Sequence, residues 1–274
     1  MRDPREISRD AAAAMGREAV VISHEGRYTA PSGAAVRIDW MVERAVEDTA
    51  VYQPGDDVPP AASPGHATRV TVANESTLAA ARRLVEEGLD PVALNFASAN
   101  HPGGGFLNGA RAQEESLCRA SALYACIVDR PVYGRHRDAL YASWMIYSPG
   151  VPVFRDDDGA LLEKPWRCSF ITAPAPNAKV YLQREPGREA DVYAAVAERI
   201  ERVLALAARK EHRAVVLGAW GCGAFGGDAE RVAELFHDAL TGTFRGTFEA
   251  VTFAVLDTSG RRERIGPFEA RFGR

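Results

Sequence analysis

PVALNFASANHPGGGFLNGARAQEE, residues 91–115, joins an apolar run, a cluster of glycines and an acidic helix start in one unbroken stretch. Pro91-Val92-Ala93-Leu94-Asn95-Phe96 reads as a buried strand, because a short uninterrupted apolar run suits a strand covered on both faces. Gly103-Gly104-Gly105 follows, and three residues without a Cβ can adopt positive φ and bring main-chain N–H groups close to an anion. After seven intervening residues, Gln113-Glu114-Glu115 opens a helix predicted over residues 113–128, where Leu117, Ala120, Tyr124 and Ile127 recur at three- and four-residue spacing. The order strand, glycine loop, helix puts the loop at the carboxyl end of a strand, where ligands of α/β sheets collect.

The same order recurs later in the chain. Ala214-Val215-Val216-Leu217 is a short apolar strand, residues 218–227 (GAWGCGAFGG) form a second glycine-rich loop, and Asp228 opens a helix predicted to Leu240. Around these units, residues 69–74 read as a strand, and Ser76 caps a helix that runs to Glu87 and stops at Gly88. Residues 142–154 and 166–173 read as strands joined across the polar turn Asp156-Asp157-Asp158-Gly159, residues 191–209 as an amphipathic helix, and residues 248–256 as a closing strand. This alternation predicts an α/β protein with a mostly parallel sheet covered on both faces. At the start, residues 10–19 are predicted helical, residues 19–22 a strand and residues 23–26 a polar turn. The Pro/Gly stretch at residues 52–65 reads as a surface loop between an N-terminal extension, residues 1–68, and a main body, residues 69–274.

Composition narrows the function. With 274 residues, 46% hydrophobic and 26% charged, the chain reads as one elaborated soluble domain. Met1-Arg2-Asp3-Pro4-Arg5-Glu6 starts no apolar segment of signal-peptide length and no later run is of membrane length, so a cytoplasmic protein without membrane association is expected. Cys118, Cys126, Cys168 and Cys222 are far apart, which argues against a zinc ribbon or a disulfide framework. His101 beside the glycines reads as a loop-positioning or exposed residue rather than a catalytic base, and His24, His66, His136, His212 and His237 form no HxH or HxxxH grouping, so no metal and no other cofactor is expected. A net charge of −4 weighs against binding polyanions by a broad basic surface, and no direct DNA binding is expected. Arg135-His136-Arg137-Asp138 accordingly reads as a solvated loop, and an anionic ligand must be gripped locally.

Neither glycine loop fits GxxxxGK[ST] or the dinucleotide fingerprint. A diphosphate held by backbone amides and helix N-termini is the remaining use for two such loops. Glu114 and Glu115 have an ordinary role available, since acidic side chains in a first helical turn complement the macrodipole. Attached to a phosphate loop they acquire a chemical one. Adjacent helical residues project about 100° apart, so one carboxyl group can address a reacting atom while the other lies alongside.

Gly103-Gly104-Gly105, seven residues and Gln113-Glu114-Glu115 together resemble the signature of poly(ADP-ribose) glycohydrolases of the short bacterial type. Residues 94–100 and 218–226 resemble the same branch, and the similarity spans about residues 69–257. The resemblance implies a macrodomain-like three-layer α/β/α fold with a mixed, largely parallel central sheet and an N-terminal extension. It implies an enzyme that binds ADP-ribose in a cleft and hydrolyses ribose–ribose O-glycosidic bonds. On this resemblance Glu115 is the catalytic residue and Glu114 its neighbour. Asn100, Gly103, Gly104, Gly105, Gln113, Gly221, Cys222, Gly223, Ala224, Phe225 and Gly226 bind substrate, Phe225 as an aromatic packed on sugar or adenine. Asn100 is only a shortened counterpart of the asparagine that larger relatives place before the glycines, which leaves Asn95 or Asn100 as the ribose contact. The implied partners are poly(ADP-ribose), ADP-ribose and poly-ADP-ribosylated proteins, in a DNA damage response, with a monomer expected.

Glycosidic cleavage needs a proton for the leaving hydroxyl, relief for an oxocarbenium-like centre and an activated water. Glu115 can supply the first and third, the ligand's own diphosphate the second, and Glu114 can hold ribose hydroxyls. Bound diphosphate and Glu114 are expected to raise the proton affinity of Glu115. Lacking a basic track, the protein is expected to act mainly on chain ends, in exo fashion. The alternatives are a non-catalytic ADP-ribose-binding macrodomain, disfavoured by the paired glutamates, and a mono-ADP-ribosyl hydrolase, disfavoured by the Gln-Glu-Glu.

Overall fold

A strand covered on both faces must send successive side chains into two different cores. The computed structural model, which describes residues 7–59 and 63–273, shows this for the strand that precedes the first glycine loop. The elements are α1 (Arg9–Glu25), β1 (Arg27–Thr29), β2 (Ala35–Arg37), α2 (Asp39–Glu47), β3 (Ala50–Tyr52), β4 (Arg69–Ala73), α3 (Thr77–Glu86), β5 (Pro91–Phe96), α4 (Gln113–Ala120) and α5 (Leu123–Ile127). They continue as β6 (Met145–Arg155), β7 (Leu161–Ala173), α6 (Ala178–Arg184), α7 (Glu189–Arg209), β8 (Ala214–Leu217), α8 (Ala229–Thr241), β9 (Ala250–Ala254) and α9 (Ile265–Phe272). From β5, Val92 and Leu94 join one core with Ile200 and Leu204 of α7, Phe236 of α8 and Phe268 of α9. Ala93 joins the other, with Ala19 and Ile22 of α1, Leu84 of α3, Leu117 of α4 and Leu123 of α5.

Seven strands form the central sheet in the order β3-β6-β7-β5-β8-β9-β4. β7, β5, β8, β9 and β4 run parallel, while β6 is antiparallel to β7 and β3 to β6. β1 and β2 pair separately. The expected largely parallel, two-faced α/β sheet is therefore the observed one. Ser76 caps α3 by accepting from the Ala79 N–H, and Asp228 caps α8 by accepting from the Glu230 N–H, as their positions predict. No described helix is long and apolar enough to cross a membrane.

Three expected elements differ. Residues 19–22 are not a strand, nor does the expected turn begin at Ser23: both stretches belong to α1, which ends only at the Gly26 cap and whose buried positions Ala12, Ala13, Gly16, Ala19 and Ile22 keep helical spacing while Val21 is 52% exposed. Packing of that stripe overrides the strand preference of Val20-Val21-Ile22. The helix predicted over 113–128 breaks between α4 and α5, because Ser121 is extended and bridges to Val153 of β6 while the Ala122 N–H bonds the Pro152 carbonyl. The segment before the Pro/Gly loop supplies β3, so residues 50–52 form an edge of the central sheet. The readings of Met1–Glu6 and of residues 60–62 in that loop lie outside the described residues.

Phe253 of β9 is fully buried, with ring centroids 5.4, 5.1 and 4.5 Å from Phe236, Phe268 and Phe272. Phe253→Ala is expected to lower unfolding free energy by about 3–5 kcal/mol, measured by denaturant titration.

Candidate active site

Three polar residues occupy the first turn of α4, and each is committed to a different partner. Gln113 Oε1 accepts the Phe96 N–H at 2.9 Å, and its Nε2 donates to the Leu94 carbonyl at 2.8 Å and to Thr77 Oγ1 at 3.1 Å. Gln113 therefore pins α4 to the end of β5 and to α3. Its side-chain amide is engaged by these three protein groups, which gives the residue a structural role at the expected substrate site.

Glu114 and Glu115 are 3% and 9% exposed. Glu114 Oε2 accepts the Ser98 N–H at 2.7 Å, and Asn95 Nδ2, which donates to Thr172 Oγ1 at 3.1 Å, lies 3.5 Å from Glu114 Oε1. Glu115 Oε1 accepts the Gly105 N–H at 3.0 Å. Both carboxyl groups converge beneath Gly104, where φ is +59° and a Cβ would lie 2.3 Å from Glu115 Oε1 and 3.2 Å from Glu114 Oε2. Only glycine fits there. Burial, the dominant influence, pushes the Glu114 carboxyl up to about 8, with the Ser98 N–H opposing and the neighbouring Glu115 charge adding to it. Burial thus favours the protonated form of Glu114. One turn further along α4, Arg119 is 4% exposed and donates to the Ala110 carbonyl at 2.5 Å and to Ser116 Oγ at 3.0 Å. Burial lowers its proton affinity, and the Glu115 charge is the leading influence against that.

The amides of the first glycine loop turn inward, where its composition predicts an outward-facing phosphate cradle. Gly104 N–H bonds the His101 carbonyl at 3.0 Å, Gly105 N–H bonds Glu115, and Gly103 N–H faces Glu114. The amides of Gly103, Gly104 and Gly105 are directed at carboxylates and at their own turn. The same lack of Cβ atoms that would admit a diphosphate here admits two side chains.

The second loop is built differently. It leaves β8, which pairs in parallel with β5, so both loops emerge at one end of neighbouring strands. Trp220 is 1% exposed and its indole N–H donates to the Ala173 carbonyl at 3.2 Å, anchoring the loop to the end of β7. Within it, the N–H groups of Cys222, Gly226 and Gly227 close turns onto Ala219, Gly223 and Gly221. Those of Gly221, Gly223, Ala224 and Phe225 make no hydrogen bond among the described residues. Cys222 and Gly226 shape this loop rather than present their amides, Gly226 at φ +70° with its Cβ position 3.0 Å from Lys179 Cβ. Burial pushes the Cys222 thiol up to about 12.

An aromatic wall joins the loops. Phe225 meets Tyr141 edge-on at 6.0 Å between centroids, and Tyr141 packs on His136 at 5.1 Å. His136 Nδ1 accepts the Ala142 N–H at 2.9 Å, so its Nε2 carries the proton and donates to the Ala99 carbonyl at 2.8 Å. Residues 135–138 are therefore not simply a solvated loop, since half-buried His136 ties them to the segment before Gly103, while Arg135 and Arg137 are exposed. Asn95 is fully buried beneath Glu114 and its Oδ1 has no partner among the described residues. Asn100 is exposed and its side chain makes no hydrogen bond among them. Of the two asparagines, only Asn100 is open to a ligand. Local patterning carries no signal for Ser98, His136 and Tyr141, whose partners Glu114, Ala99 and Phe225 are distant in the chain, or for Arg119, which bonds the Ala110 carbonyl across the turn before α4.

Residues 16–156 match the family described as microbial-type PARG, catalytic domain. The fold is similar to poly(ADP-ribose) glycohydrolase from Thermomonospora curvata, with a TM-score of 0.91 and 46% identity over 96% of this chain and 100% of that one. A Thermomonospora curvata structure of the same enzyme bound to the inhibitor ADP-HPD gives 0.89 and 47% over the same shares. Poly(ADP-ribose) glycohydrolase from Deinococcus radiodurans in complex with ADP-ribose gives 0.81 and 42% over 86% of this chain and 98% of that one. No curated protein matches the chain.

Gly104→Ala is expected to retain a folded circular-dichroism spectrum yet lose turnover by roughly a hundredfold, because its Cβ displaces the carboxylates it overlies. The raised Glu114 also makes a pH prediction. Its contribution to stability is complete below its ordinary value of 4.5 and is lost as pH rises through about 8, since the folded state holds the proton more tightly. Thermal melts across that range should show a declining Tm that flattens in Glu114→Gln.

Proposed function

The chain belongs to the microbial-type poly(ADP-ribose) glycohydrolase family, and we propose that it cleaves the ribose–ribose O-glycosidic bonds of poly(ADP-ribose) with Glu115 as general acid and base. The observation that carries this reading is the convergence of Glu114 and Glu115 under Gly104, beside a loop that has four uncommitted amides. The diphosphate of a terminal ADP-ribose unit accepts from the N–H groups of Gly221, Gly223, Ala224 and Phe225. Phe225 packs against the sugar, and Asn100 reaches a ribose hydroxyl. A proton passes from Glu115 to the leaving ribose oxygen as the C–O bond breaks, its electron pair going to that oxygen. Water then adds to the anomeric carbon and returns a proton to Glu115.

Glu114 holds ribose hydroxyls, and as a neutral carboxyl group it can donate as well as accept. The diphosphate raises the proton affinity of the carboxyl pair as it arrives, and also stabilises the oxocarbenium-like centre across a short distance. No opposing carboxylate is needed on this account. With a net charge of −4 the protein captures chain ends rather than chain interiors, so release is mainly exo. Its partners are poly(ADP-ribose), ADP-ribose and poly-ADP-ribosylated proteins, met in the cytoplasm.

Glu115→Gln should bind ADP-ribose as the unaltered protein does while polymer hydrolysis falls by roughly 10²–10⁴. The assay follows ADP-ribose release from automodified polymer alongside gel analysis of chain length. Appreciable turnover by the variant would remove Glu115 from the mechanism, and early medium-length fragments from the unaltered protein would contradict exo release.

A further inference from the structure

Helix α1 reaches the catalytic pair through a chain of contacts with no slack. A Cβ at Gly16 would lie 2.8 Å from the Phe106 carbonyl oxygen and 3.1 Å from Phe106 Cδ2, so the helix backbone rests directly on this residue. Phe106 is 1% exposed. The opposite edge of its ring underlies Gly103, where a Cβ would fall 3.0 Å from both Cδ1 and Cε1, and its face is closed by Tyr124 at 4.8 Å. Gly103 leads straight into Gly104 and Gly105, the two residues that cover and hydrogen-bond the carboxylates.

The first turn of α1 grips the other side of the same loop. Arg9 Nε donates to the Asn108 carbonyl at 3.1 Å, and Arg111 Nη1 donates to the Ile7 carbonyl at 2.7 Å. The Arg9 carbonyl oxygen fills the space of a Gly109 side chain, 2.0 Å from where its Cβ would be. Ser8 fixes the start of the helix by accepting the Ala11 N–H at 3.2 Å.

We propose that α1 is a positioning element for the reaction, setting through Phe106 the height of Gly103–Gly105 over Glu114 and Glu115. This rests on the reading of Glu115 as the catalytic acid and base. Close-packed interiors transmit displacement rather than absorb it. At Gly16 the nearest atom is backbone, so rotation of the Phe106 side chain cannot relieve an added methyl group. The turn at residues 106–108 has to move, and the glycines move with it. The second glycine loop lies after β8 and shares none of these contacts, so ligand affinity and carboxylate geometry should respond separately.

The test is the kinetics of Gly16→Ala with polymer, together with its equilibrium affinity for ADP-ribose, at temperatures well below its melting point. We expect kcat to fall about tenfold or more, with KM and ADP-ribose affinity within about twofold of the unaltered protein, because small misplacements of reacting groups cost rate before binding. Arg17→Ala, on the exposed face of α1, should leave all three unchanged. The double variant Ser8→Ala/Arg9→Ala loosens the first turn without adding bulk and should lower kcat in the same selective way, by about two- to fivefold. It carries the test if Gly16→Ala fails to fold. An unaltered kcat in the folded variants would overturn the proposal. So would a loss of ADP-ribose affinity as large as the loss of kcat, since α1 would then support the whole cleft. Glu115→Gln measured in parallel separates the two readings. If it turns over, the catalytic assignment fails, whereas an inactive Glu115→Gln beside a normal Gly16→Ala sinks the α1 inference alone.

Discussion

Two buried carboxyl groups side by side must each find a hydrogen-bond donor, because an unpartnered buried acid is costly. Ser98 N–H meets Glu114 and Gly105 N–H meets Glu115, and these two backbone bonds govern much of the surrounding design. They require the chain after β5 to fold back over the start of α4 at a distance that no side chain tolerates. Gly104 at positive φ, with a Cβ position inside van der Waals distance of both acids, is the consequence. Gln113 then locks the helix to the strand end, and Arg119 supplies a buried positive charge one turn behind.

The two glycine loops look alike in composition and divide the work. One spends its amides on protein carboxylates and on its own turn, and the other leaves four without a partner among the described residues, at the carboxyl end of the adjacent parallel strand. Adjacency of β5 and β8 in the sheet brings the carboxyl pair and the second loop to one end of the sheet without any long connection, which is the arrangement the proposed reaction needs. The wall from Phe225 through Tyr141 to His136 closes the gap between them, and His136, with both ring nitrogens committed, holds that wall to the Ala99 carbonyl. Burial favours the neutral form of Glu114, which on the proposed reading spares an incoming diphosphate a second charge.

Much of this was legible in the sequence where the signal was local. The apolar run of β5, the caps at Ser76 and Asp228, and the first-turn acids of α4 each depend on neighbours a few residues away, and each stands where expected. What local patterning missed depends on distant partners. Val20-Val21-Ile22 prefers a strand until the stripe from Ala12 to Ile22 is packed, and the break at Ser121 exists because β6 offers it a bridge. Nothing in a glycine triplet says whether its amides will meet phosphate or carboxylate. Nor does the Gln-Glu-Glu sequence reveal that its first member faces β5, since the three side chains fan out around the helix.

Backbone amides report this division of labour directly. In uniformly ¹⁵N-labelled protein titrated with ADP-ribose, the account predicts large shifts and new exchange protection at Gly221, Gly223, Ala224 and Phe225. Gly104 and Gly105 should keep the protection they have without ligand. If instead Gly104 and Gly105 surrender their bonds to His101 and Glu115 and the second-loop amides stay unchanged, the diphosphate sits on the first loop and the account is wrong.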